Sequence, residues 1–315
     1  MAEFDLIETF FNQQKQNRND VIIGIGDDCA VTYIPHNQQL AITTDTLVSG
    51  VHFPENTSAY DIGYKSLAVN LSDLAAMGAT PAWATLALTL PDENTAWLTE
   101  FSRGFFALAN QYDMQLIGGD TTRGPLTITI TAHGFLPKQH ALLRSGAKPN
   151  DLIYVTNQLG DAGLALLFLQ KKISLSPNNQ NAALTKLNRP EPQIEMGIQL
   201  RDMANAAIDI SDGLAADLGH VLEKSHVGAT LYVDQIPLSS ALRESLPIDD
   251  AITLALTAGD DYELCFTISP EKEKLLANTN GTYTKIGVIT AATGLNLQFS
   301  DGRKYHGNTK GYQHF

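Results

Sequence analysis

The sequence predicts an α/β chain, or one of the α+β kind, folded as two domains. Three observations carry that reading. Runs with a period of two and runs with helical spacing succeed one another along the chain. The length, 315 residues, fits one large or two ordinary domains, and a hydrophobic content of 43% is ample for real cores. A basic stretch bearing glycine and proline, Arg144-Ser145-Gly146-Ala147-Lys148-Pro149, interrupts the pattern. The domain boundary is expected near it, with residues 1–138 forming the first domain and 139–315 the second.

The elements follow in order. Residues 4–17 read as a short amphipathic helix. Val21-Ile22-Ile23 leads into Gly24-Ile25-Gly26-Asp27-Asp28-Cys29-Ala30, a glycine-rich turn with paired carboxylates between two short strand-like runs. Leu40-Ala41-Ile42-Thr43-Thr44-Asp45 is a strand ending in hydroxyls and an acid, and His52 follows in a loop. The next helix is the best defined. Leu67, Leu71, Leu74 and Ala75 make a buried stripe, Ser58 and Asp61 a capping box, and Gly78 with Pro81 a stop. Asn70 and Asp73, three apart, share a different face, so Asp73 projects from a rigid element. Residues 84–90 alternate as a half-buried strand, and 93–112 are helical. Gln115-Leu116-Ile117 is a short strand running into Gly118-Gly119-Asp120-Thr121-Thr122, and residues 126–134 form another strand.

In the second half, Leu152–Thr156 is a strand and 162–172 a helix. Residues 173–190 are polar, with Pro177 and clustered asparagines, and read as a surface connection. Residues 192–204 are helical. Ala206-Ala207-Ile208-Asp209-Ile210 is a strand that turns at Ser211-Asp212-Gly213 into a helix over 214–225. Strand 229–233, helix 239–245, strand 262–268, helix 270–278 and strand 283–289 complete the chain.

The net charge is −13, which argues against general nucleic-acid binding. Phosphate ligands remain compatible with it, provided divalent cations stand between the two sets of negative charge. No apolar run reaches the length of a membrane span. The N-terminus, Met1-Ala2-Glu3-Phe4-Asp5, is acidic and lacks the pattern of a secretory signal. Cys29 and Cys265 are far apart and are expected to act as small hydrophobes in a cytoplasmic protein.

Asp28, Asp45, Asp73, Asp120, Asp209 and Asp212 share a setting. Most stand just after a short strand, beside Gly, Ser or Thr. Ligands approach backbones at such places in α/β folds, and small neighbours let a phosphate or a hydrated metal come close. Any one of these acids alone reads as a turn residue. Together, in a chain with no P-loop and no zinc spacing, they read as a site for hard cations such as magnesium, calcium or manganese. Magnesium takes a few carboxylates plus water and substrate phosphate, so a polyphosphate substrate carried by several magnesium ions follows. Gly24-Ile25-Gly26 opens like a dinucleotide fingerprint, but two acids stand where further glycine belongs, and a Rossmann reading is rejected. His52 reads as a surface histidine or a ligand. Arg144 reads as a solvated loop arginine or a bidentate phosphate contact.

The motifs become recognisable as a set. Gly24-Ile25-Gly26-Asp27-Asp28-Cys29-Ala30, Thr43-Thr44-Asp45, Asn70-Leu71-Ser72-Asp73-Leu74-Ala75-Ala76-Met77-Gly78, Gly118-Gly119-Asp120-Thr121, Asp209-Ile210-Ser211-Asp212-Gly213-Leu214 and Gly259-Asp260-Asp261-Tyr262-Glu263-Leu264 resemble thiamine-monophosphate kinase. They come in that family's order and cover nearly the whole chain, closing with Lys310-Gly311-Tyr312. The resemblance implies a two-domain fold like the aminoimidazole ribonucleotide synthetase superfamily, with mixed sheets flanked by helices. It implies an N-terminal domain for ATP, metal and dimerisation, a C-terminal α/β domain, and a homodimer joined through the N-terminal sheets. It implies ATP in a cleft bridged by several magnesium ions. The metal ligands it implies are Asp28, Thr43, Thr44, Asp45, Asp73, Asp120, Asp209 and Asp212. Implied nucleotide contacts are Gly119, Asp120, Arg144 and Ser211, and implied thiamine phosphate contacts are His52, Asp260 and Tyr312. The family often has Glu where this chain has Asp260, which shortens the reach by one methylene.

The implied reaction moves the γ-phosphoryl group of ATP onto thiamine monophosphate, giving thiamine diphosphate and ADP. The nucleophile is a phosphate oxygen, ionised near neutrality because its second pKa is about 6, so no protein nucleophile or general base is expected. The obstacle is that two anions must meet. Like charges about 4 Å apart repel by roughly 4 kcal/mol per pair at an intermediate dielectric, and several magnesium ions offset this. Direct in-line transfer is the expectation. Within the superfamily, selenophosphate synthetase uses a Cys or selenocysteine near its N-terminus, and residues 1–28 here hold none. The hydrogenase-maturation relative ends in a reactive cysteine, and this chain ends Tyr312-Gln313-His314-Phe315. An aminoimidazole ribonucleotide synthetase and a non-catalytic magnesium–nucleotide sensor are the remaining alternatives.

Overall fold

The computed structural model describes residues 3–14, 18–307 and 311. Tyr312 lies outside the described residues. The chain divides into two compact units, Met1–Leu74 with Ala79–Gln139 and Ala75–Gly78 with His140–Phe315.

The first unit opens with α1 (Glu3–Phe10), shorter than the helix expected over 4–17. Strands β1 (Val21–Ile23) and β2 (Val31–Thr32) pair antiparallel around the glycine-rich turn. Then come β3 (Gln38–Val48), α2 (Ala59–Ala76), β4 (Thr80–Leu90), α3 (Thr95–Gln111), β5 (Gln115–Arg123) and β6 (Thr127–Pro137). The sheet order is β3-β6-β4-β5, with β6 antiparallel to both neighbours and β5 parallel to β4. The parallel pair needs a crossover, which α3 supplies.

Period-two alternation gives this sheet two unlike faces. Ile128, Ile130, Leu86 and Leu88 are buried on one, and Asp45 and Leu47 of β3 pair with Ile130 and Ile128 on that side. Ile42, Thr44 and Thr46 take the other face. There the Thr44 and Thr46 hydroxyls bond those of Thr131 and Thr129, each at 2.9 Å. The capping box of α2 forms: the Ser58 hydroxyl accepts the Asp61 N–H at 3.1 Å and donates to the Asp61 carboxylate at 2.8 Å. Helices α2 and α3 touch backbone to backbone. A Cβ at Gly63 would fall 2.1 Å from the Phe101 carbonyl oxygen, and one at Gly104 2.0 Å from that of Tyr60. Asn70 corrects the sequence reading. It is buried, with its amide donating to the Ser66 carbonyl, and does not share an open face with Asp73.

The second unit contains β7 (Leu152–Thr156), α4 (Asp161–Leu169), α5 (Pro177–Asn188), α6 (Ile194–Leu200), β8 (Ala204–Asp209), α7 (Leu214–Ser225) and β9 (Gly228–Tyr232). It continues with α8 (Ser240–Ser245), α9 (Ile248–Thr257), β10 (Leu264–Ile268), β11 (Tyr283–Thr290) and β12 (Gly294–Gln298). The sheet order is β12-β9-β11-β7-β10-β8, antiparallel except for β12 beside β9. Both units thus carry a mixed sheet with helices, the predicted class. Three local expectations fail. Residues 173–190 are not a plain surface connection but contain α5: Ser176 caps it, Pro177 sits in its first turn, and Ala183 and Leu187 are buried one turn apart. Helix α9 was not expected, although Pro247 precedes it and Asp249 and Asp250 fill its first turn. Residues 270–278 form only a short 3-10 helix, Glu273–Asn278.

Candidate functional site

Each unit gathers part of the expected donor set. In the first, β3 brings Thr43 and Asp45 to the sheet face, and Asp73 comes from α2. The Thr43 hydroxyl donates to the Asp73 carboxylate. Burial, with the Asp73 charge adding to it, pushes the Asp45 carboxyl up to about 6. Two carboxylates held within reach of each other's charge, beside a hydroxyl, form an oxygen-donor set that suits a divalent cation. Asp45 lies inside β3 and Asp120 inside β5, not just beyond strand ends as the sequence suggested.

A second group lies toward the β5 edge of the same sheet. Gly24–Ala30, Thr85 and Gly118–Thr121 line an open cavity of about 810 Å³, with Asp27, Asp28 and Asp120 among its acids. The Asp28 N–H is held by the Asp27 carboxylate at 2.9 Å, and both side chains are exposed. Cys29 shares this wall and is exposed, against the expectation of a small buried hydrophobe, while Cys265 is buried as expected. Gly119 is required where it stands. Its φ is +156°, and a Cβ there would sit 1.9 Å from the Leu86 carbonyl oxygen.

The register relates the two groups. Asp45, Ile130, Leu86 and Gly119 fall in one row across β3, β6, β4 and β5. Three strand spacings separate the ends of that row by about 14 Å. Asp45 and Gly119 are therefore too far apart to share one ion. The Thr44 side chain takes the face opposite Thr43 and bonds Thr131. His52 is half-buried, and its Nδ1 accepts the Val48 N–H at 3.0 Å, which leaves Nε2 to carry the proton of the neutral ring.

In the second unit, β8 ends at the buried Asp209, and Ser211, Asp212 and Gly213 turn the chain into α7. The loop from Gly259 to Glu263 lies directly on this turn. The Asp260 N–H bonds the Ser211 carbonyl at 2.9 Å, and the Tyr262 N–H bonds that of Ile210 at 2.8 Å. Asp260 and Tyr262 both have positive φ, +67° and +51°. The backbone at Gly259 comes so close that a Cβ would fall 2.3 Å from the Ser211 carbonyl oxygen. Alternate side chains anchor the loop. The Asp261 carboxylate accepts the Gly160 N–H, while Glu263 accepts the Thr156 hydroxyl at 2.6 Å and the Asn157 amide at 2.9 Å. Burial raises the pKa of both acids, that of Glu263 to about 7. Asp260 is held from one side by the Tyr262 hydroxyl at 3.0 Å. Arg144 is exposed in a segment whose Leu143 carbonyl accepts the Ala207 N–H, so it runs beside β8. Gly311 lies against Asp212 and Ala216.

The structure therefore joins Thr43, Asp45 and Asp73, joins Asp28, Gly119 and Asp120, and joins Ser211 and Asp260. Among the described residues no three His, Cys, Asp or Glu side chains form a ready metal cage. Sequence reasoning missed the anchoring roles of Asp261 and Glu263, and of Asp217 in α7. A signal existed for the last: an acid in the first turn of a helix that follows an Asp-Gly turn.

The two-sheet architecture and its strand-borne acids define a class. The model of the AIR synthase related protein N-terminal domain matches residues 26–136, and that of its C-terminal domain matches 148–300. The chain is 50% identical over 320 residues to thiamine-monophosphate kinase of Escherichia coli (strain K12), covering 100% of this chain and 98% of that protein. It superposes on thiamine-monophosphate kinase from Stenotrophomonas maltophilia K279a with TM-score 0.88 at 46% identity, covering 97% of this chain and 98% of the other. AaThiL complexed with AMPPCP and TMP superposes with TM-score 0.77 at 31% identity, over 99% and 96%. Within the AIR synthase related class, the chain belongs to the thiamine-monophosphate kinase family.

Proposed function

We propose that this protein transfers the γ-phosphoryl group of ATP directly to thiamine monophosphate, yielding thiamine diphosphate and ADP. The full-length 50% identity to a thiamine-monophosphate kinase carries the reading. The geometry supports it with oxygen donors and with a groove roomy enough for a nucleotide. The first unit offers Asp28, Thr43, Asp45, Asp73 and Asp120 to magnesium, while Thr44, turned to the other face, drops out of the set, and the second unit offers Asp209 and Asp212. Gly119, Asp120, Arg144 and Ser211 are the proposed ATP contacts. His52, Asp260 and Tyr312 are the proposed thiamine phosphate contacts. Magnesium, when bound, screens the two anions from each other and stabilises charge on the transferring group. The protein's own task is positioning. Strand β3 and helix α2 fix Asp45 and Asp73, the Gly119 backbone lets a phosphate lie close to β5, and the anchored loop holds out Asp260 toward a cationic substrate. We propose also that the open, hydroxyl-lined sheet face, where Ile42 is 60% exposed, joins two copies of the chain. Incubation with ATP, magnesium and thiamine monophosphate should form thiamine diphosphate. Binding of both substrates without that product would instead make the protein a sensor.

Asp45 gives metal binding a pH signature. Its carboxyl stands at about 6 in the metal-free fold against an ordinary 3.8. The folded state holds this proton more tightly, so the stability it contributes is present below about pH 4 and lost as pH rises through about 6. A cation takes the deprotonated form. The magnesium-induced rise in Tm should therefore be small at about pH 5 and larger at about pH 7. Equal rises at both would remove Asp45 from the ligand set.

Cys29 offers a direct reading of nucleotide occupancy. Burial pushes the Cys265 thiol up to about 12, and Cys29 is the exposed one. A thiol reagent should modify Cys29 alone, and ATP with magnesium should slow it by about tenfold or more through burial of the groove wall. Unchanged labelling, followed by mass spectrometry, would place the nucleotide elsewhere.

A further inference from the structure

Asp217 belongs to none of the donor sets above, yet it shapes one of them. It lies in the first turn of α7 and is 3% exposed. Its Oδ2 accepts three consecutive backbone N–H groups, from Ser211 at 3.0 Å, Asp212 at 3.0 Å and Gly213 at 3.1 Å. Three successive amides aimed at one point make a nest, the backbone shape that elsewhere receives a phosphate oxygen. Here the oxygen is built in, and it comes from the helix that the nest introduces. The loop is clamped from its other side too, because Asp260 and Tyr262 donate to the carbonyls of Ser211 and Ile210. Gly213 completes the arrangement: its φ is +115°, and a Cβ would fall 2.8 Å from the Thr257 carbonyl carbon.

We propose that Asp217 is a positioning residue which fills the 211–213 nest, so that this loop meets a phosphate-bearing ligand through the side chains of Ser211 and Asp212 and not through its amides. Such a loop, closed to bare phosphate and fronted by the Asp212 carboxylate, binds nucleotide only with a divalent cation between them. The inference rests on the reading of Ser211 and Asp212 as nucleotide and metal contacts. An ordinary helix cap would stabilise α7 and nothing more.

The experiment uses the full-length protein with ATP, magnesium and inorganic phosphate as probes. Asp217→Asn keeps the shape and replaces the carboxyl by a neutral amide. It should raise the magnesium concentration for half-maximal turnover by about tenfold or more, the usual cost of losing a group that orients a metal ligand. Asp217→Gly vacates the nest. It should acquire binding of inorganic phosphate without magnesium, measured by calorimetry, and added formate should compete with that binding and restore turnover. If Asp217→Gly does not fold, Asp217→Asn and Asp217→Glu carry the test, with Glu recovering part of the magnesium response. Asp212→Asn is the control. If it leaves the magnesium requirement unchanged, the reading of the loop as a metal contact fails, and this inference with it. If Asp212→Asn raises the requirement and folded Asp217→Asn does not, only the positioning role is overturned.

Discussion

Asp73→Asn should lower turnover by about a hundredfold or more, a loss of about 3 kcal/mol of transition-state stabilisation, while the protein stays folded. The physical reason lies in how poorly this carboxylate is placed for stability. It sits in the last turns of α2, where the negative end of the helix dipole disfavours an anion. It also repels Asp45 across the gap to β3. The Thr43 hydroxyl donates to it, and an Asn oxygen can accept that bond equally well. The substitution therefore removes repulsion and leaves the packing of Leu71 and Leu74 alone. The variant should stay folded, and burial alone should then hold the Asp45 carboxyl less far above its ordinary value. Activity that survives near the wild-type level across a magnesium titration would show that Asp73 is not a central ligand.

Gly119→Ala should cost both stability and nucleotide binding. The new Cβ would overlap the Leu86 carbonyl oxygen, itself part of the parallel β4–β5 ladder, and the backbone there is of a kind L side chains rarely adopt. Strain of this sort costs about 1–3 kcal/mol, and forcing the strands apart adds to it. A fall in Tm of at least several degrees is expected, since about 1 kcal/mol moves a domain of this size by a few degrees. ATP affinity should fall by about tenfold or more, because a 1.4 kcal/mol loss is already that large. Gly118→Ala is the companion measurement. A Cβ at Gly118 meets nothing within 4 Å, so its melting temperature should stay near wild type. Two variants that melt alike would show that the close approach at Gly119 is not what the strand pair needs.

The order of elements was largely legible. The stripe of Leu67, Leu71 and Leu74, with its cap at Ser58, specified α2, and alternating Thr and Ile specified β6. The failures share a cause. Helices α5 and α9 are short and polar on their outer faces, and only packing against the second core reveals that Ala183, Leu187, Ala255 and Leu256 turn inward. Asn70 was misread because its amide N–H is taken by the Ser66 carbonyl within the helix, and it lies buried although its Oδ1 finds no partner among the described residues.

The sequence by itself determined which acids could carry chemistry, in what order they come, and that oxygen-loving cations and phosphate are their natural partners, because ligand type is a property of the side chain alone. Only the tertiary structure decided who stands beside whom. It set Asp73 against Thr43 and Asp45, moved Gly119 to the far end of the same sheet row, and turned Asp217 onto the amides of the Ser211–Gly213 turn. The first two pairings join residues tens of positions apart and are fixed by strand register and helix packing, which no local pattern of residues encodes; the third is local, and its only trace in the sequence is an acid in the first turn after Asp-Gly.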